Sequence, residues 1–86
     1  MPRVSAFYGI VIYLYYRDHA PPHFHALYGE HEAEHRIETG EVIRGGLPPR
    51  AAALVKEWAA RYKRHLLEDW ERARRHRPLR PIPPLD

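Results

Sequence analysis

The chain reads as an α+β domain, a small and mostly antiparallel four-stranded sheet packed against a long C-terminal helix with room for a kink. Two observations predict it. Between Phe7 and Arg44, apolar and β-branched residues run together or alternate, and glycine-containing turns punctuate them, which is strand patterning. From Leu47 onward the apolar residues recur at helical spacing instead, until prolines take over beyond Arg77.

The first element is Phe7 to Tyr16, aromatic and β-branched without a helical stripe, apolar on both faces and therefore expected to be a central strand. Gly9 inside it predicts a bulge or a close backbone approach. After a turn from Asp18 to Pro22, the runs His23 to Tyr28 and Glu32 to Ile37 flank Gly29-Glu30, the signature of a two-residue type II′ hairpin. Such a loop dictates register: Tyr28 opposite His31, Leu27 opposite Glu32, Ala26 opposite Ala33, His25 opposite Glu34, Phe24 opposite His35 and His23 opposite Arg36. One face then carries Phe24, Ala26, Tyr28, Ala33 and Ile37; the other carries His23, His25, Glu32, Glu34 and Arg36.

Thr39-Gly40 turns the chain into a fourth short strand, Glu41 to Arg44, and Gly45-Gly46 ends the sheet. Leu47-Pro48-Pro49 opens the helix, with proline in the tolerated first turn. Leu54, Val55, Trp58, Tyr62, Leu66, Trp70 and Ala73 lay one apolar stripe along it to about Arg75 and are expected to pack on the face bearing Phe24, Ala26 and Ile37. A helix that long outruns so small a sheet, so a kink or break is expected near Tyr62 to Leu66, or a distal half that packs on a second subunit. Residues 1–76 form the one domain of this reading, and 77–86 an extended proline-rich tail.

A single domain of 86 residues buries only roughly 60% of its unfolded surface, so the core of a monomer is thin and a homo-oligomer is expected. The absence of cysteine excludes a disulfide scaffold, a thiolate zinc site and a cysteine nucleophile, which leaves nitrogen and oxygen ligands. The apolar run at Phe7 to Tyr16 falls short of the roughly 20 residues of a membrane span, and Arg17-Asp18-His19 follows it where a cleaved leader would have small residues. A cytoplasmic protein without membrane association is the expectation. The net charge of +3 is divided: residues 1–47 hold four Arg against six acids, while residues 48–86 hold ten Lys and Arg against five. That basic half is either a solvated helix rim, with Glu57, Glu68, Asp69 and Glu71 interleaved, or a phosphate-binding face for RNA or DNA.

The segment Asp18-His19-Ala20-Pro21-Pro22-His23-Phe24-His25-Ala26 carries the chemistry. Paired prolines stiffen the backbone before a strand whose alternation puts His23 and His25 on one side. The turn can bring His19 in as a third ligand, and Glu34 lies across the ladder from His25. His19, His23, His25 and Glu34 are therefore candidate ligands for a divalent transition metal such as zinc or manganese. The same three histidines, unmetallated, suit acid-base catalysis near neutral pH. Arg17 and Arg36 are candidates to steady a phosphate. Against these stands a polar strand face whose histidines simply bond to Glu34 and tyrosine hydroxyls.

His35, beside Phe24 on the other face, is expected to be interior, and His65 and His76 to be surface residues. Tyr8, Tyr13, Tyr15, Tyr16 and Tyr28 are core aromatics or a base-stacking surface. His23-x-His25 followed by Glu30 also resembles the first half of the cupin metal motif, but the second half, with its late histidine, is missing.

Phe7-Tyr8-Gly9-Ile10, Asp18-His19-x-Pro21-Pro22-His23-Phe24-His25-Ala26-x-Tyr28-Gly29-Glu30, Ile37-Glu38-Thr39-Gly40, Leu47-Pro48, Leu54-Val55-x-x-Trp58 and Trp70 together resemble the small bacterial family called domain of unknown function 4160. The likeness runs from about Phe7 to Ile82, and its Pro-Pro-His-Phe-His-Ala string is specific. The resemblance assigns no catalytic residue. It implies a place in a two-gene, toxin-antitoxin-like cassette, a small cognate protein from the same operon as partner, and a nucleic-acid-directed role. The expected function is thus a histidine-cluster protein acting on RNA by metal-assisted or histidine acid-base phosphodiester cleavage. The alternative is a non-catalytic regulatory module that binds a protein or DNA.

Overall fold

The computed structural model of the chain describes residues 2–16 and 18–86, so Arg17 lies outside it. The fold is α+β, with five strands where four were expected and two helices where one was. The strands β1 (Arg3–Phe7), β2 (Ile10–Tyr13), β3 (His23–Tyr28), β4 (His31–Arg36) and β5 (Val42–Gly45) form one antiparallel sheet in the order β1-β2-β3-β4-β5. The helices are α1 (Pro49–Arg61) and α2 (Lys63–Arg74).

The extra strand arises inside the apolar run. Phe7 pairs with Ile10, so Tyr8-Gly9 is a two-residue hairpin loop rather than a bulge in a continuous strand. Both loop residues have positive φ, 49° at Tyr8 and 78° at Gly9, as a type I′ turn requires. That position is usually Asn, Asp or Gly, and a tyrosine there hides the turn in an aromatic stretch.

The β3–β4 hairpin has the register expected of its two-residue loop, from Tyr28 opposite His31 through His25 opposite Glu34 to His23 opposite Arg36. Gly29 takes φ of 59° while Glu30 does not turn positive, the pattern of a II′ turn. Strand β2 continues the alternation, with Ile12 opposite Ala26 and Tyr13 opposite His25. On one sheet face lie Ile10, Ile12, Phe24 and Ala26; on the other lie Tyr13, His23, His25 and Glu34. At the far edge, Ile37 N–H bonds Pro22 O at 3.0 Å and Arg36 N–H bonds Glu41 O at 2.8 Å, which ties the site's entry turn to β4 and β5.

Helix α1 buries Ala51, Val55, Trp58 and Ala59 against the first face. Trp58 is fully enclosed, with its ring 5.3 Å from that of Phe7 and 5.7 Å, edge-on, from that of Phe24. The helical run breaks at Tyr62, whose φ of −112° and ψ of 28° leave the helical basin. This break re-aims the chain, so that α2 carries Leu66 and Trp70 toward the end of β3, where the Trp70 ring lies 5.5 Å from that of His23.

Residues 78–86 hold no helix or strand but are packed: Ile82 and Leu85 are buried in the same core as Val4 and Trp58. Ile82 N–H donates to Val4 O at 2.7 Å, Trp58 Nε1–H to Pro83 O at 2.9 Å, and Arg80 N–H to Asp69 Oδ1 at 2.9 Å. The tail thereby covers the outer edge of β1. Among the described residues no helix is long and apolar enough to cross a membrane.

Candidate metal centre

Strand alternation and the proline turn build the site together. His23 and His25 project from β3 on the face away from Trp58, and the turn that precedes β3 brings Asp18 over them. Asp18 Oδ2 stands 3.0 Å from His23 Nε2 and 3.1 Å from His25 Nε2. One ligand atom from each of Asp18, His23 and His25 falls within 4.8 Å of the others, a two-histidine, one-carboxylate group. Bonds of about 2.0 to 2.1 Å to a common ion give ligand-to-ligand edges of about 3.0 Å at right angles and about 3.4 Å in a tetrahedron, and the two edges from Asp18 match the smaller value.

The hydrogen bonds define the donors. His23 Nδ1 lies 2.8 Å from the carbonyl of Pro21. A carbonyl only accepts, so Nδ1 carries the proton, and in the neutral ring Nε2 is a bare lone pair. That lone pair is buried, has no hydrogen-bond partner, and faces the carboxylate of Asp18. Two acceptors at 3.0 Å in a site this enclosed repel, so either a proton on Nε2 or a metal ion lies between them. A histidine oriented through one nitrogen by a backbone carbonyl, which leaves the other to ligate, is a common arrangement of metal-bound imidazoles. His25 bonds Asp18 through Nε2 at 3.1 Å, and its buried Nδ1, without a hydrogen-bond partner, faces Glu32 Oε2 at 3.6 Å.

The surroundings reinforce the charge pattern. Burial raises the carboxyl of Asp18, but the His25 hydrogen bond, the His23 charge and the His19 backbone amide outweigh it, so Asp18 ends below its usual value and is ionised. Glu34 Oε1 lies 3.7 Å from His23 Nε2 and supplies a second carboxylate in reach of an ion. The ring of Tyr15 meets that of His25 edge-on at 4.3 Å. Burial, then the Glu32, Tyr13, Asp18 and Glu34 charges, pushes the Tyr15 hydroxyl above its ordinary value.

The expected third ligand, His19, is not drawn in: its side chain is 78% exposed, with Nδ1 3.4 Å from Asp18 Oδ1 and its ring 5.6 Å from that of His23. Its neighbour Asp18 is instead the group that faces both His23 and His25. Glu34 sits at the margin, Arg36 is exposed across the ladder from His23, and Arg17 lies outside the described residues. Glu32, opposite Leu27 and two residues along from Glu34, shares the histidine face as its register predicts, and although it is not among the expected ligands it comes within 3.6 Å of His25 Nδ1. His35 is interior, stacked on Phe24 with ring centroids 5.2 Å apart and Nδ1 bonded to Gly40 O at 3.0 Å.

A basic groove lies along α2 and the residues that follow it. Tyr16, two residues before Asp18, donates its hydroxyl to Arg77 O at 3.2 Å and stacks on His76. Next to it Arg72, Arg75, Arg77 and Arg80, with Glu68 and Glu71, line a cavity of about 310 Å³. Glu71 is engaged by Arg74 at 2.6 Å and by Arg75 at 3.3 Å, which leaves Arg72, Arg77 and Arg80 without a side-chain ion-pair partner among the described residues.

No curated protein and no solved structure matches the chain. Residues 9–71 match the family described as domain of unknown function DUF4160, a span that holds Asp18, His23, His25, Glu34 and Trp58. On that match over most of its length, the chain belongs to the DUF4160 family.

Proposed function

We propose that Asp18, His23 and His25 bind a divalent transition metal and that the protein is a metal-dependent hydrolase of phosphodiester bonds in RNA. The observation that carries the reading is the buried Nε2 lone pair of His23, held by the Pro21 carbonyl and facing the Asp18 carboxylate at 3.0 Å. A positive ion between them removes the repulsion. Donors of this kind, two imidazoles and a carboxylate, suit zinc or manganese and leave positions open for water. The ion supplies a water nucleophile near neutral pH and polarises the phosphoryl oxygen. Tyr15 and Glu34 flank the cluster as hydrogen-bonding groups, and the groove at Arg72, Arg77 and Arg80 supports a polyanionic substrate.

Elemental analysis of untagged protein beside a His23→Ala/His25→Ala variant tests the metal, and cleavage of single-stranded RNA with zinc or manganese tests the reaction. The proposal expects near-stoichiometric metal in the parent, none in the variant, and cleavage that chelation abolishes. Cleavage that survives chelation would replace it with histidine acid-base catalysis. Metal-free protein without turnover that still holds a cognate protein or DNA would replace it with the non-catalytic regulatory module.

A further inference from the structure

On the opposite sheet face from the histidine cluster, at the other end of β3, the β1–β2 turn and the start of α1 enclose a second cavity of about 310 Å³. Its walls include Tyr8, Tyr28, Pro48 and Leu54, its floor is the fully buried Ile10, and Arg50 stands at its mouth. That size lies at the lower end of the range for small-molecule sites.

Tyr8 is 60% exposed and Tyr28 37%, so burial does not explain either ring. Neither contacts another aromatic ring or makes a side-chain hydrogen bond among the described residues. Tyr28 rests on the backbone of Gly9, where a Cβ would meet its ring at 3.4 Å. Tyr8 keeps its place at φ of 49°, a region that a bulky side chain rarely adopts. Two exposed tyrosines therefore line a largely apolar cavity, and neither ring meets another aromatic ring among the described residues.

The charge is equally unpaired. Arg50 has no ion-pair partner among the described residues, and no acidic side chain lines this cavity. The first turn of α1 likewise holds no acid, and its first bonded amide is that of Ala52, to Pro48 O. Aromatic faces recognise a planar ring, and an unneutralised guanidinium beside them recognises a phosphate.

From this pairing we infer that the cavity is a nucleotide site, with the base against Tyr8 and Tyr28 and the 5′-phosphate on Arg50. The site is separate from the metal centre and stands whether or not the metal reading does. Free nucleotides and a nucleotide within a single strand share this chemistry.

The test is a titration of the full chain followed by amide NMR, with AMP, adenosine, inorganic phosphate and a short single-stranded oligoadenylate as probes. AMP should move the amides of Tyr8, Gly9, Tyr28, Arg50 and Ala51 at millimolar concentration or below, and adenosine and phosphate should each act more weakly. Preference for the oligonucleotide over AMP would assign the cavity to a strand, and the reverse to a free nucleotide. Tyr8→Gly keeps the turn, because glycine accepts its φ, and should weaken AMP roughly fivefold or more by removing one stacking face. Arg50→Gln should reduce AMP to the affinity of adenosine, whereas His23→Ala/His25→Ala should leave it unchanged. No perturbation by any probe, or equal AMP affinity in the parent and Tyr8→Gly, overturns the inference.

Discussion

His23 donates Nδ1–H to the carbonyl of Pro21, two residues earlier, at 2.8 Å. The proline turn therefore selects the tautomer of the histidine that follows it, and in the neutral ring that tautomer turns its lone pair toward Asp18. In the proposed metal site, this peptide group would do the work of an outer carboxylate.

Metal affinity should accordingly fall in acid, because both imidazoles must be neutral to ligate. Isothermal titration with zinc at several pH values measures this. Asp18→Asn, which keeps the shape but loses the negative charge, should weaken zinc binding at pH 7 by about tenfold or more. Unchanged affinity in that variant would mean that the ion, if bound, sits elsewhere.

The stability of the domain should depend on His35. Burial holds its imidazole below the ordinary value, with the bond to Gly40 only partly offsetting it. The unfolded chain then takes up a proton first as pH falls, so stability is complete above about 6.5 and declines from there toward the lower folded value. His35→Leu removes this uptake. Its urea-unfolding free energy should vary less between pH 6.5 and 5 than that of the parent, and parallel pH profiles would show that His35 is not responsible.

Trp58→Ala should cost about 3 to 5 kcal/mol, since it empties a fully enclosed site between Phe7 and Phe24. A domain of this size holds about 4 to 13 kcal/mol in all, so the variant should be mostly unfolded or melt far below the parent. Trp58→Phe keeps much of the packing and loses the bond to Pro83 O, and a cost of about 1 kcal/mol from that bond is expected on top of the smaller ring.

Removing residues 78–86 takes Ile82 and Leu85 out of the core and the Ile82 amide from Val4 O. The outer edge of β1 is then bare, and bare edges pair with other chains. The shortened protein should melt lower and elute as larger species in size-exclusion chromatography. A monodisperse product with an unchanged melting temperature would show that the tail is dispensable.

Much of this was legible because it is local. A Gly29-Glu30 loop imposes one register on the runs beside it, and alternation then separates His23 and His25 from Phe24 and Ala26 without reference to anything distant. The stripe from Leu54 to Trp70 and its expected interruption near Tyr62 follow equally from helical period and length. The Tyr8-Gly9 turn stayed hidden, because an apolar run carries no mark of where it reverses when the loop residue is itself aromatic.

Other features belonged to the tertiary structure alone. Asp18 and His19 are adjacent in a loop without periodicity, and which of them turns inward depends on how Pro21 and Pro22 are anchored, partly through Ile37 N–H to Pro22 O. The closing of the β1 edge by Ile82 and the cavity shared by Tyr8 and Arg50 join segments far apart in the chain. Contacts of that kind carry no short-range pattern. They exist only once burial of Trp58 and Phe24 has brought helix and sheet together, so the sequence determined the faces, and the packing decided what stands opposite them.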